Sequence, residues 1–263
     1  MAARFLRRLA VVTDADSAMA GAVAVRLANE GASLVLQHRG DAHAVERARA
    51  LASHLVGGGC NALAIAADLR DPCTLGLLSR AISTLGPRVD ALVHTATARV
   101  DTRSLDDGAA LGCGALGDVR ASLARDVDSL LVASQLCAPL MQPGSAMVSL
   151  LSLSARDGGA AGLRSSAVSS GAALALVRTL ARELGPRGIR INAIECDTER
   201  GAAQAGECTL DDEACAVSGT AAFLLSSDAS YVTGTVVAVD GRGKGSRMER
   251  RPAAELNETA CQA

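Results

Sequence analysis

Aromatic side chains are almost missing from this sequence, which has two Phe, one Tyr and no Trp in 263 residues. With 49% hydrophobic residues there is still material for a sizeable core, but Leu, Val and Ala must fill it. An excess of one charge is also lacking: the formal net charge is −2, so no whole-chain field draws nucleic acid or an anionic membrane. No apolar run approaches the roughly 18 residues needed to span a bilayer. The eight cysteines (60, 73, 113, 137, 196, 208, 215 and 261) form no CxxC pair. In a chain large enough to need no staples this spacing argues against a zinc site or a disulfide framework, and for reduced thiols. Metal is therefore not expected, and the expected location is cytoplasmic. The start, MAARFLRRLAVV, is basic and free of acids like a transit peptide, which keeps an organelle as the alternative, but the first strand already begins near Leu9.

What the sequence does contain is alternation. Short apolar runs at Leu9–Thr13, Ala32–Gln37, Ala62–Ala67 and Ala91–Thr95 are separated by helical patterns at 17–30, 42–55 and 71–86. The rhythm continues with a helix at about 118–141, a strand at Ala146–Leu151, a helix at 165–184, a strand at Ile189–Ile194, a helix at 211–225 and a strand at Val236–Val239. Such β-helix-β units imply right-handed crossovers and parallel pairing. The expected fold is α/β, a Rossmann-type doubly wound, seven-stranded parallel sheet with helices on both faces and its ligands at the carboxyl ends of the strands. One domain is expected over residues 1–241. Residues 242–263, polar, glycine-rich and basic, read as a flexible tail whose Asn257–Thr259 sequon has no role in a reducing compartment.

The stretch LAVVTDADSAMAGAVAVRLANEGASLVL resembles the first strand, phosphate loop and first helix of the short-chain dehydrogenase/reductase family. ADL at 67–69, DALVHTAT at 90–97, RELGPRGIRINAI at 182–194 and FLLSSDASYVTGTVVAVDG at 223–241 follow in the family's order. The general likeness is to 3-oxoacyl-carrier-protein reductases, with LQHRGDA and YVTGTVVAVDG resembling pteridine reductases. The family implies an NADP- or NAD-dependent oxidoreductase that assembles as dimers or tetramers through two long helices and the last strand.

The site residues depart from that pattern. In the family's Thr-Gly-x-x-x-Gly-x-Gly loop, Thr13 matches, but the glycine positions carry Asp14, Ala18 and Ala20, with Gly21 the only glycine nearby and Asp16 a second acid. Glycines there let the backbone turn and approach a pyrophosphate held on helix N–H groups. A carboxylate about 4 Å from a phosphate charge is repelled by about 4 kcal/mol at an effective dielectric near 20. Thr97 replaces a glycine after strand four. Two cofactor features persist: Asp68, at the position of the family's adenine-contacting acid, and Arg39, where a base would meet a 2′-phosphate. Each also reads as a turn residue or a solvated loop charge.

Hydride transfer to a carbonyl needs a proton donor, which the family supplies as a tyrosine with a lysine four residues later. The resemblance places Ala167 and Gly171 at those positions, Asp128 at the supporting asparagine and Ser154 at the serine, the one member retained. Residues 155–185 hold neither Tyr nor Lys, so no shift of register restores the pair. Tyr231, the one tyrosine, is expected to pack as an amphipathic side chain. His94, at the end of strand four, is the best substitute acid, against a structural role as a hydrogen-bonded histidine. Asp128, Asp157 and Arg164 are poorer substitutes. The segment after Cys196 and Asp197 is about a dozen residues shorter than the family's usual substrate lid. The expectation is a catalytically inactive scaffold or partner subunit in a homo- or hetero-oligomer with subunits of this family, without nucleic acid, membrane or cofactor. The alternatives are an NADPH-dependent reductase of a carbonyl or pterin with a rebuilt site, and a non-catalytic sensor of a small ligand.

Overall fold

The computed structural model describes residues 3–95, 114–152, 164–196 and 212–239. Seven strands, β1 (Leu9–Val12), β2 (Ser33–His38), β3 (Ala62–Ala66), β4 (Ala91–Thr95), β5 (Ala146–Ser152), β6 (Arg190–Cys196) and β7 (Val236–Val239), form one sheet in the order β3-β2-β1-β4-β5-β6-β7, every pair parallel. The order reverses at β1, so the crevice between the ends of β1 and β4 is the topological switch point where doubly wound sheets hold ligands.

Period-two alternation sends side chains of each strand to opposite faces. Val12, Leu34, Leu36, Val93, Val148 and Ile194 build one core layer. Val11, Val35, Leu92, Met147, Leu151 and Ile191 build the other. On the first face lie α1 (Ala18–Asn29) and α7 (Asp212–Leu225). Buried Ala20, Ala24, Ala221 and Ala222 allow these two helices to pack closely in place of bulky aromatics. On the other face lie α3 (Pro72–Leu85), α5 (Ser129–Cys137) and α6 (Arg164–Leu184); α2 (Ala42–Gly57) flanks β2 and β3.

The helix starts follow from sequence. Ser17, Asp41 and Asp71 cap α1, α2 and α3 by accepting backbone N–H groups of Ala20, Ala44 and Cys73, and Pro72 opens α3, where its missing N–H is harmless. The helix expected at about 118–141 differs. It begins earlier, as α4 (Gly114–Leu123), passes through one π-helical turn at Ala124–Asp128, and continues as α5 to a 3-10 turn at Ala138–Leu140. A π turn inserts an extra residue and rotates the helix beyond it, which matters for the site below.

Buried charges lock the outer parts of the fold. Glu30 is 1% exposed and accepts from Arg4 (2.6 and 2.8 Å) and Arg26 (2.5 Å), while Arg4 reaches Asp228 at 3.5 Å. The Arg4 guanidinium, with Arg26 behind it, holds the Glu30 carboxyl below the usual range. Arg190 of β6 donates to the carbonyls of Leu224 (2.7 Å), Ser226 (2.8 Å) and Val232 (3.3 Å), satisfying acceptors at the end of α7. Asn192, two residues on, donates to Val232 O and accepts from Thr235 N. The RIN of RELGPRGIRINAI is thus a clamp on the segment between α7 and β7.

Tyr231 is fully exposed rather than packed, and Phe223 is 41% exposed. Both belong to the α7–β7 segment, and β7 is the sheet's edge. Of the five cysteines within the described residues, Cys137 and Cys196 are buried. No helix among the described residues is long and apolar enough to cross a membrane. The expected tail lies outside the described residues.

Glu30→Ala strips the partner from two arginines at a buried position. It is expected to cost about 3 kcal/mol, read as a lower urea midpoint at unchanged slope.

Candidate functional site

The site is best built from residue 14. The chain leaves β1 through a turn in which Thr13 N donates to Val93 O, Asp14 N to the Gln37 side chain (3.0 Å) and Ala15 N to Gln37 O (2.9 Å). This turn requires a left-handed residue, and Asp14 adopts φ +44°. Asp is one of the few side chains that tolerates the conformation, at a cost glycine does not carry. Neither Ala18 nor Ala20 has a positive φ; Ala18 is the first residue of α1, and Ala20 is fully buried in the core. Of the three substituted glycines, one alone keeps the backbone demand.

The Asp14 side chain is buried, 3.7 Å from Arg39 Nε. Burial pushes its pKa up to about 6; Arg39 opposes the rise and Asp16 adds to it, with smaller effects from Arg125 and Asp126. Arg39 therefore faces a carboxylate of its own chain. Thr13 is also buried, its Oγ1 accepting from Thr95 N at 3.1 Å, so it ties the ends of β1 and β4 together. Asp68 is held by Arg70 through side-chain bonds of 2.8 and 3.0 Å and a backbone bond of 2.9 Å, with its pKa lowered by that pairing. Its carboxylate is occupied within its own turn.

His94, the substitute acid expected from sequence, lies in β4 and faces β5 and α5. It is 1% exposed, and both ring nitrogens are engaged: Nδ1 with Ser149 Oγ (3.2 Å) and Nε2 with Ser129 Oγ (2.8 Å). Ser129 donates its hydroxyl to Arg125 O in the π turn, so it accepts from His94 Nε2–H, and Nδ1 accepts from Ser149. Burial lowers the histidine pKa to about 3, so the ring is neutral near pH 7 and ties β4 and β5 to the helix.

The acids of the π turn differ in their surroundings. Asp128 is exposed; Asp126 is 1% exposed and faces α6, accepting from Ser169 Oγ (2.5 Å) and paired with Arg125 (3.0 Å). Burial raises its pKa, against Arg125 and Ser169. On α6, Ala167 is half-buried and Gly171 exposed with open space around it, whereas Ser165, Ser166, Ser169 and Ser170 are buried. The inward i, i+4 pairs are thus serines, and the doubled spacing of SSAVSSG was the signal for them. Neither inward pair brings an acid of tyrosine type or a cation. The chain's one lysine is Lys244 and its one tyrosine the exposed Tyr231. Ser154, Asp157, Thr97 and the shortened lid segment lie outside the described residues, as does the Arg164 side chain. No group of three metal-ligating side chains occurs among the described residues.

Asp14 and Asp16 thus put two acids into the turn between β1 and α1, and Arg39 is paired with the first of them at 3.7 Å.

Two outcomes test this geometry. An unfolded Asp14 loses its proton near pH 4 and the folded one near 6, so its burial costs nothing below pH 4 and about 3 kcal/mol above pH 6. Asp14→Asn, which also accepts the left-handed backbone, is expected to be more stable than the parent at pH 7, with the difference vanishing towards pH 4 in urea titrations. His94→Leu leaves the Ser149 hydroxyl without an acceptor and is expected to cost about 2 kcal/mol at pH 7. That loss shrinks as pH falls below 6.5, because keeping the parent's ring neutral then becomes a burden.

The family profile described as enoyl-(acyl carrier protein) reductase matches residues 14–242. The meso-2,3-butanediol dehydrogenase of Serratia marcescens is 27% identical over 90% of this chain and 95% of its own. The L-rhamnose 1-dehydrogenase (NAD(P)(+)) of Azotobacter vinelandii is 28% identical over 88% and 94%. Among solved structures, a short-chain dehydrogenase of Burkholderia cenocepacia in complex with NADP superposes with a TM-score of 0.75 at 30% identity, covering 90% of this chain and 98% of that one. A blue fluorescent protein from a metagenomic library in complex with NADPH gives 0.74, also at 30% identity over 90% and 98%. Sheet order, motif order and a match across nearly the whole length agree: this chain belongs to the short-chain dehydrogenase/reductase family.

Proposed function

We propose that this protein is a non-catalytic member of its family, which neither holds a nicotinamide dinucleotide nor transfers hydride, and which acts as a scaffold or partner subunit in a homo- or hetero-oligomer. The observation that carries this reading is the buried Asp14 carboxylate, in a left-handed turn at the mouth of the phosphate crevice and paired with Arg39. Support comes from α6, whose inward pairs are serines where proton transfer needs an acid and a cation. Assembly is supported by what the fold exposes. Of three aromatic side chains in the chain, Phe223 and Tyr231 are exposed beside the edge strand β7, and Val168 of α6 and Leu116 of α4 are half-exposed or more. Large apolar side chains left exposed in this way are available for contact with other chains.

The second reading, an NADPH-dependent reductase with a rebuilt site, draws on relatives named as dehydrogenases and on neighbours solved with NADP and NADPH. It requires Arg39 to leave Asp14 for a 2′-phosphate.

One titration separates the two. A ligand at 100 times its dissociation constant adds about 2.7 kcal/mol to stability. Millimolar NADPH or NADH is expected to leave the melting temperature unchanged, while sedimentation reports a mass above that of one chain; a cofactor-dependent rise in melting temperature would overturn the reading.

A further inference from the structure

A net charge near zero hides a basic surface at the amino ends of the central strands. Arg7 and Arg8 precede β1, Arg88 precedes β4, and Arg182 and Arg187 precede β6. Hydrogen bonds hold these loops against one another. Asp90 N donates to Leu9 O, and Leu9 N donates to the Asp90 carboxylate at 2.9 Å, which sets the residues before β1 beside those before β4. Val89 N donates to Leu140 O, and Arg187 reaches the same turn through Ala138 O (2.7 Å), so Arg88 and Arg187 flank residues 138–141. Gly144 N, donating to Gly188 O at 2.8 Å, closes the row. Arg8 also stands near enough to Arg190 for its charge to add to burial in lowering that guanidinium's pKa.

Arg7, Arg88, Arg182 and Arg187 are exposed and Arg8 is half-buried, and none of the five makes an ion pair with a described residue. The acids of this end are mostly engaged. Glu30 and Asp228 face Arg4, and Asp90 accepts from Leu9 N, which leaves Glu183. Arg182, in the last turn of α6, answers the dipole of its helix. Arg7, Arg8 and Arg88 lie outside helices and have no such role. Next to them Leu6 is 64% exposed.

This composition restricts the partner. Guanidinium groups are two-pronged donors that grip carboxylates and phosphates alike, and arginine clusters recognise acidic motifs. An exposed leucine among them favours a ligand with apolar groups between its acids, which a protein segment carries and a phosphate backbone does not.

We propose that the amino-end face of the sheet, with Arg7, Arg8, Arg88, Arg182 and Arg187 beside Leu6, docks an acidic segment of a partner protein that has apolar residues between its carboxylates. This rests on the reading of the chain as a partner subunit and gives that role a surface at the opposite end of the strands from the crevice.

Fluorescence anisotropy on the full chain tests it with three labelled probes of equal length: a peptide of glutamates interrupted by leucines, an all-glutamate peptide and an oligothymidylate. The mixed peptide is expected to bind, and the other two to bind at least about threefold more weakly. Raising ionic strength from about 0.1 to about 1 M, which shortens the Debye length from about 10 to about 3 Å, is expected to weaken it at least about tenfold. Arg88→Glu combined with Arg182→Gln is expected to do the same at unchanged circular dichroism and melting. Should that pair lower the melting temperature, Arg88→Glu alone serves, with a loss of at least about threefold. Arg49→Glu, exposed on α2 and close to His38 at the other end of β2, is expected to bind like the parent. The proposal is overturned by silence from the mixed peptide, by equal binding of the all-glutamate peptide, by tighter binding of the oligothymidylate, or by folded Arg88 variants that bind like the parent. A rise in melting temperature with NADPH would undo the subunit reading and leave peptide binding as measured, whereas silence from the peptide without a response to NADPH would remove this face alone.

Discussion

A doubly wound sheet must turn sharply from its central strand into its first helix, and the left-handed backbone at residue 14 is the constraint on which this crevice depends. The hydrogen bonds that enforce the turn run from backbone to Gln37 and Val93, so they persist whatever residue stands there. Placing a carboxylate at that point changes no topology and reverses the character of the mouth. Where backbone N–H groups would face an anion, the chain supplies its own anion, and Arg39 answers it.

The floor of the crevice follows a related logic. Ser149, His94, Ser129 and the Arg125 carbonyl form a line of hydrogen bonds from β5 through β4 into the π turn. Asp126 and Ser169 extend polar contact to α6. Each group is satisfied by a neighbour in the protein, which makes this network cohesive and chemically quiet. A histidine held neutral by burial and bonded at both nitrogens keeps strands and helix in register.

The fold was legible because its signals are repeated and local. Apolar runs of strand length, capping residues such as Asp41 and Asp71 and the order of motifs place all seven strands within one or two residues of their observed bounds. The site was less legible because it depends on rotation about helix axes. Ala167 and Gly171 differ from the inward serines by one position, and one position on a helix turns a side chain through about 100°. Asp126 rather than Asp128 faces α6 because of a π turn that no periodicity announced. Tyr231 read as a packing residue because its ring is amphipathic, yet the core was completed by alanines and left it outside. The charge inversion at Asp14 was visible from the sequence; its pairing with Arg39, twenty-five residues away, needed the parallel alignment of β1 with β2.

The position of β1 in the sheet also governs how the chain can fold. It pairs with β2 through residues close in sequence, but its other edge waits for β4, some eighty residues later. Until residues 91–95 leave the ribosome, the nascent chain carries a bare strand edge made of Leu, Ala and Val. Such an edge invites wrong pairing, and non-local closure of this kind is slow. A protein of this design is thus most exposed to aggregation while it is being made, before its central seam can close.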